Sequence, residues 1–410
     1  MSSEPRRYPS TKRGAATYET LLRAGASVFG RQGFRQASVA EICRRSRVAN
    51  GTFYQYFPDK EHIFLKLIER MANQLQARLE TGADKAQSAL REIQSALRAH
   101  LDFIGSQTAL YRVFREAEFI QTDLPQQLYG RLAHFYQRML RAGQSSNQLR
   151  HLDAETVAFS LLGMTEFIAL RYLFWNRGLP PEAWATLRDC VARGISGDPP
   201  FVKTARVIRP LLEEQPPPLS QGQRTRARLL SAAEAEFGRQ GFYEAHIVDI
   251  ARRAGVAHGT FYTYFPSKEA IFVELIREIN RQLRAHSRGA GEGLQDRREI
   301  ERAGFQAFFD FIKNHPQAYR IVREAEFVGP ASNTAGRWYY ERIAQGYAPA
   351  LAQAMTTGQI RKSNPEALAY ALMGIGHFIG LRWIVWEGQA VPARVFETMM
   401  DFILNGLQPT

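Results

Sequence analysis

The chain repeats itself over a long period. The stretch NGTFYQYFPDKEHIF at 50–64 recurs as HGTFYTYFPSKEAIF at 258–272, so Gly51 and Gly259 stand 208 residues apart. The same offset joins FGRQGF at 29–34 to 237–242, and YRVFREAEF at 111–119 to YRIVREAEF at 319–327. Farther on, Trp175 pairs with Trp386 at an offset of 211, which a few residues inserted in a loop explain. A period this long excludes a short-repeat solenoid. Each copy, roughly 200 residues, is large enough for two small domains, so whatever fold forms here forms twice.

The pattern inside each copy is helical. Leu22, Ala26 and Phe29 recur at i, i+4 and i+7 and the stripe stops at Gly33; the second copy does the same. No two runs of period two flank a hairpin turn. The expected fold is all-α, in two tandem copies of two domains each. The expected boundaries are 1–70 and 71–195 for the first copy, a linker at 196–223, then 224–278 and 279–410. The linker is marked by its prolines, among them Pro216, Pro217 and Pro218.

Charge points to the partner. The 410 residues carry a formal net charge of +13 with 45% hydrophobic residues, a soluble composition that favours anionic partners, nucleic acid first. Cys43 and Cys190 do not recur, since Ala251 and Phe402 stand at their counterparts, so neither a disulfide framework nor a cysteine zinc site is expected. No metal or cofactor is expected. The nine histidines form no His-Glu-x-x-His pair, and no Walker loop or Gly-x-Ser-x-Gly elbow appears, so the chain does not read as an enzyme. The opening MSSEPRRYPSTKRGA has charge without an apolar core after it, so a cytoplasmic location is expected rather than secretion. The apolar run 367–386 contains His377 and Arg382, and its counterpart contains Glu155, Glu166 and Arg171. Ionisable groups at that density are costly in lipid, so a buried helix at a protein–protein interface is expected instead of a membrane span.

The repeated motif reads as helix, tight turn, short helix. Ser38 is a good N-cap for VAEICRRS, and the turn at Arg47–Val48, or AGV at 254–256 in the second copy, leads into ANGTFYQY or AHGTFYTY. That is the helix-turn-helix arrangement, whose second helix enters the DNA major groove. Gly51 and Gly259 leave room for close approach to phosphate. Thr52, Tyr54 and Tyr56, with Thr260, Tyr262 and Tyr264, offer hydroxyls to phosphates or base edges. Phe53 and Phe57, with their copies, read as core. Lys60 and Lys268, one turn into the next helix, read as phosphate contacts beside helix N-terminal amides.

On these residues the stretches 19–64 and 226–272 resemble the N-terminal domain of the TetR/AcrR transcriptional regulators. The resemblance implies a three-helix helix-turn-helix DNA-binding domain, or reader, in each copy with a helical effector-binding and dimerisation domain behind it, a double-stranded DNA operator as partner, and a ligand-responsive repressor as function. By position it places recognition residues at Ala49, Asn50, Gly51, Thr52, Tyr54, Gln55 and Tyr56. In the second copy they fall at Ala257, His258, Gly259, Thr260, Tyr262, Thr263 and Tyr264. The chain departs from the family where Ala49 and Ala257 replace a capping hydroxyl, where His246 replaces one at the counterpart of Ser38, and where Arg47 replaces a turn glycine. Residues 1–70 hold 13 Lys and Arg against 6 Asp and Glu, a balance of +7, whereas 221–278 hold 8 against 7, a balance of +1. The first reader, with its arm of Arg6, Arg7, Lys12 and Arg13, is expected to grip harder. The alternative is a helical protein-interaction or ligand-sensing module in which one helix-turn-helix no longer binds DNA.

The larger half of each copy is rich in aromatic, amphipathic helices that either wall a cavity or form a solid core. Residues expected at an effector pocket are Phe103, Tyr111, Phe114, Arg115 and Phe167, with Phe311, Tyr319, Arg323 and Phe378 in the second copy. The effector expected there is small and apolar or amphipathic. Residues 155–175 and 366–386 are the expected interface, pairing the two copies into a pseudo-dimer within one chain. The rival arrangement is an intermolecular homodimer with four readers.

Overall fold

The computed structural model describes residues 9, 11–82, 88–121, 123–176, 178–196, 220–328 and 330–409. The linker expected at 196–223 lies outside the described residues except for Ser196 and 220–223, as do Arg6 and Arg7 of the basic arm. The described residues contain helices and no strand. The first copy forms α1 (Lys12–Gln36), α2 (Val39–Ser46), α3 (Asn50–Tyr56), α4 (Lys60–Gly82), α5 (Ala89–Ser106), α6 (Thr108–Glu116), α7 (Asp123–Ser145), α8 (Ala154–Ile168) and α9 (Pro181–Ile195). The second forms α10 (Gln221–Gln240), α11 (Ile247–Arg253), α12 (His258–Tyr264), α13 (Lys268–Ala290), α14 (Arg297–Asn314), α15 (Pro316–Glu324), α16 (Pro330–Thr356), α17 (Pro365–Ile379) and α18 (Ala393–Gly406). Both α8 and α17 run on as a wider π-helical stretch, Ala169–Trp175 and Gly380–Trp386.

Local chemistry sets the ends of these helices. The Ser38 hydroxyl accepts from Glu41 N at 3.2 Å, and Ser220 and Gln223 cap α10 reciprocally. Asn364 caps α17 ahead of a proline at its first position. Between α2 and α3 the chain reverses through Arg47 at φ 56°, and between α11 and α12 through Gly255 at φ 64°. Arginine there carries a left-handed cost of about 1–2 kcal/mol that glycine avoids.

The chain divides into two compact units that do not follow the two sequence copies. One comprises residues 1–135 with 172–178, the other 136–171 with 179–410. In the first unit α1, α2 and α3 form a three-helix reader around Leu21, Phe29, Ile42 and Phe53, all fully buried, and α6 packs on α1.

In the second unit, helices of the first copy pack against helices of the second: α8 on α17 and α9 on α18. Contacts there come in pairs that exchange partners. A Cβ on Gly163 would lie 2.1 Å from the carbonyl oxygen of Gly374, and one on Gly374 would lie 2.0 Å from that of Gly163. Arg171 meets Glu366 at 2.9 Å, and Arg382 meets Glu155 at 2.9 Å. Arg150 meets Asp401 at 2.6 Å, and Arg361 meets Asp189 at 3.2 Å. Gly194 lies against Phe402 and Gly406 against Cys190. In every case the residues that exchange stand 211 or 212 apart in sequence. Reciprocal contact between equivalent residues is the signature of a two-fold, isologous interface. The segments Ala154–Trp175 and Pro365–Trp386 are long and apolar enough to cross a membrane, and here 83% and 78% of the apolar window is buried inside the protein.

Candidate nucleic-acid interface and effector cavity

In each reader the sequence-expected residues gather on one exposed face. Ala49, Asn50, Gly51, Tyr54 and Gln55 are exposed on α3, with Thr52 and Tyr56 half-buried. On α12 the exposed set is Ala257, His258, Gly259, Tyr262 and Thr263, with Thr260 and Tyr264 half-buried. Phe53 and Phe261 point inward and are fully buried, and Phe57 and Phe265 follow them. Tyr54 and Tyr262 are 46% and 49% exposed, among the few large apolar side chains left at the surface. A Cβ on Gly51 or Gly259 would meet nothing within 4 Å. Among the described residues no contact requires glycine at either position. Ala49 and Ala257 make no side-chain cap, and neither does His246, whereas Ser38 does.

The start of α1 lies beside α3. A Cβ on Gly14 would stand 3.4 Å from Tyr56 Oη, and one on Gly222 would stand 3.7 Å from Tyr264 Oη. This brings the exposed Lys12 and Arg13 to the reading face. Sequence reasoning missed this glycine pair, although its offset of 208 marks it. It also missed Arg45, exposed at the end of α2, near Glu41 but in no direct ion pair among the described residues. Its counterpart Arg253 is held by Glu236 at 2.7 Å, which adds to the weaker charge of the second reader.

Lys60 and Lys268 are placed differently from the phosphate role expected of them. Lys60 Nζ donates to the carbonyls of Phe34 at 2.9 Å and Ala37 at 3.0 Å. Lys268 Nζ donates to those of Phe242 at 2.8 Å and Ala245 at 2.9 Å. Each ammonium also sits over a phenylalanine ring, Phe34 or Phe242. Partial burial lowers the pKa of both, and the donors are spent on the end of the first reader helix.

A carboxylate completes the arrangement. Phe34 N donates to Glu116 at 2.8 and 2.9 Å, and Phe242 N donates to Glu324 at 3.0 Å. Gly33 at φ 75° and Gly241 at φ 84° turn these amides toward the acid. Glu116 is buried, which raises its pKa, while the Phe34 amide holds it down. Gly30 lets α6 close on α1, with Ala109 2.8 Å from where a Cβ would be. One junction between reader and α6 thus accounts for the recurrence of FGRQGF, of the lysine after YFP and of REAEF. We expect Lys60→Met and Lys268→Met each to cost about 1.5–3 kcal/mol of stability. The log–log salt slope of DNA binding should stay unchanged. Urea unfolding and salt titrations check this, and a slope flattened by about one unit with stability intact would restore the phosphate role.

The second copy contains a cavity of about 480 Å³ among α13, α14, α16 and α17. Of the residues expected at a pocket it brings together Tyr319 and Phe167, the latter from the first copy's α8 rather than in a pocket of its own copy. Tyr319 Oη and His377 Nδ1 lie 2.7 Å apart at its wall. Phe311 packs on His315, Arg323 stacks over the Tyr319 ring, and Phe378 packs beside His377. In the first copy Phe114 lines a void of only about 10 Å³. Phe103 and Tyr111 are core, and Arg115 lies over Phe174. Among the described residues no group of three or more His, Cys, Asp and Glu could hold a metal.

The model of the bacterial regulatory proteins of the tetR family matches residues 21–67 and again 229–275. The chain is 35% identical over 103 residues to the HTH-type transcriptional activator FasR of Mycolicibacterium smegmatis, covering 25% of this chain and 47% of that protein. This match spans about half of that relative's length. It is 26% identical over 185 residues to the HTH-type transcriptional repressor KstR2 of Mycobacterium tuberculosis, covering 44% of this chain and 92% of that protein. Among solved structures, Salmonella enterica GusR aligns at 21% identity and TM-score 0.42, covering 46% of this chain and 98% of that one.

Proposed function

We propose that the chain is a tandem TetR-type transcriptional regulator and that one molecule is a self-contained pseudo-dimer that reads two DNA half-sites with α3 and α12. The observation that carries this reading is the reciprocal set of contacts between α8–α9 and α17–α18. Two separate protomers would use such a surface to dimerise; here one chain supplies both sides of it. Tethering raises the effective concentration of the second half into the mM range when the linker spans the gap. The two half-sites differ, because Asn50 and Gln55 face DNA in one reader and His258 and Thr263 in the other. The regulator is a repressor released by a small effector. The KstR2 match, to a repressor, spans nearly that whole protein, and α15 offers the route of release. It carries Tyr319 in the cavity wall and, at its end, Glu324 against the reader amide. A ligand that prefers one placement of α15 therefore biases the reader, a differential-affinity effect.

Light scattering at micromolar concentration is expected to give a mass near 46.6 kDa. Selection from random duplex should return paired, unlike half-sites occupied by one chain. A mass near twice that value sinks the self-contained reading, and recovery of one half-site alone shows that one reader has lost DNA.

A further inference from the structure

The two copies diverge around the cavity. Two glycines open it in the second copy, for a Cβ on Gly304 or Gly346 would meet nothing within 4 Å. Their first-copy counterparts are Ala96 and Phe135, both buried, and Phe135 borders the void of about 10 Å³ beside α4 and α7. A volume of about 480 Å³ falls within the range of small-molecule sites. The deeper wall is aromatic, with Phe305, Phe308, Tyr339 and Tyr340 facing it and Phe167 closing it from the first copy.

Charge at the cavity edge diverges in the same direction. Arg284 and Arg288 line it, and among the described residues no carboxylate pairs with either. Arg284 Nε donates to Asn280 Oδ1 at 2.9 Å. Burial first, then the nearby Arg342, Arg288 and Arg281, lower its pKa, as expected of cations crowded together. The first-copy counterparts are Gln76 and Glu80, the second a reversal of sign. Arg297 also lines the cavity, but its charge is spent: Nε donates to Glu301 Oε1 at 2.8 Å, and the Tyr347 hydroxyl donates to the other oxygen of Glu301.

We propose that the chain has a single effector site, in the second copy, and that its ligand is an amphipathic anion, with the apolar body in the aromatic chamber and the anionic head on Arg284 and Arg288. The proposal rests on the effector-responsive reading above and narrows it to one ligand per chain. Guanidinium groups recognise carboxylate, sulfate or phosphate through charge-assisted hydrogen bonds. An uncharged ligand of the same body forgoes that attraction, and a cation is repelled.

Titration calorimetry of the full chain with decanoate, decanol and decyltrimethylammonium tests this, with operator binding followed in parallel by anisotropy. Decanoate is expected to bind one per chain, decanol at least tenfold more weakly, and the ammonium not measurably. Arg284→Gln with Arg288→Glu, the first copy's residues, should weaken decanoate at least tenfold and leave decanol unchanged. Gly346→Phe should abolish binding with the unfolding midpoint retained. Should that variant fail to fold, Gly304→Leu serves in its place. Two decanoates per chain, failure of decanoate to bind, decanol equal to decanoate, or binding retained in a folded Gly346→Phe each overturn the proposal. One decanoate bound with the operator complex untouched upholds the site and overturns only the regulatory reading.

Discussion

Replacing Gly163 with alanine, a gain of one methyl group, is expected to separate α8 from α17. The new carbon would sit 2.1 Å from the Gly374 carbonyl oxygen and 2.5 Å from its carbon, backbone atoms that cannot rotate away. Overpacking a core ordinarily costs about 1–3 kcal/mol through side-chain adjustment. Here a whole helix must move, so we expect a loss at or above the top of that range, about 3 kcal/mol or more. Gly374→Ala should match it, because the contact is reciprocal. Gly130→Ala is the control, since its Cβ would meet nothing within 4 Å. Affinity for paired half-sites should fall at least tenfold while affinity for an isolated half-site holds. Wild-type unfolding and wild-type operator affinity in Gly163→Ala would remove the α8–α17 pairing from the account.

Acid should weaken the chain through His100. This residue on α5 is fully buried, its ring 6.4 Å from that of Tyr111, and burial depresses its pKa from 6.5 to about 3. The sign follows from proton binding. Above pH 6.5 both folded and unfolded forms carry a neutral imidazole, and the histidine contributes no pH dependence. Between 6.5 and about 3 the unfolded chain takes up a proton that the folded chain refuses, so stability falls as pH falls. The slope is about 1.4 kcal/mol per pH unit, so about 1.4 kcal/mol is lost by pH 5.5 and about 3 by pH 4. His100→Phe, which installs the second copy's residue Phe308, should remove this part of the acid response. Urea unfolding of both proteins at pH 7.5, 5.5 and 4.5 checks it. Parallel pH profiles for the two proteins would mean that His100 is hydrated in solution.

Much of the reader was legible in the sequence because its determinants are local. Capping at Ser38, a tight turn through Arg47 or Gly255, and a short helix with one aromatic inward and one outward are settled by residues a few positions apart. The duplication helped further, since a feature that recurs at a fixed offset can be checked against itself. The junction residues whose role the sequence did not show have long-range partners. Glu116 acts on an amide 82 residues earlier, and Lys60 acts on carbonyls 26 and 23 residues earlier. Recurrence marked both, but only folding could show that they meet at one junction.

The all-α class, the two readers and the residues on their exposed faces were legible from residue spacing alone. That is because helix periodicity and turn chemistry are written at spacings of three to seven residues. The tertiary structure decided the rest. It settled that within the two stretches expected to pair, Gly163 meets Gly374 backbone to backbone. Gly376 and Gly380, on the same helical run as Gly374, lie against Phe305 and Ile312 of their own copy. It also decided that Phe167 closes the other copy's cavity, which is open where Gly346 stands, whereas the first-copy counterpart Phe135 borders a void of only about 10 Å³. A cavity is the volume that several helices fail to fill. That difference depends on how side chains from distant segments meet, and no single segment carries it.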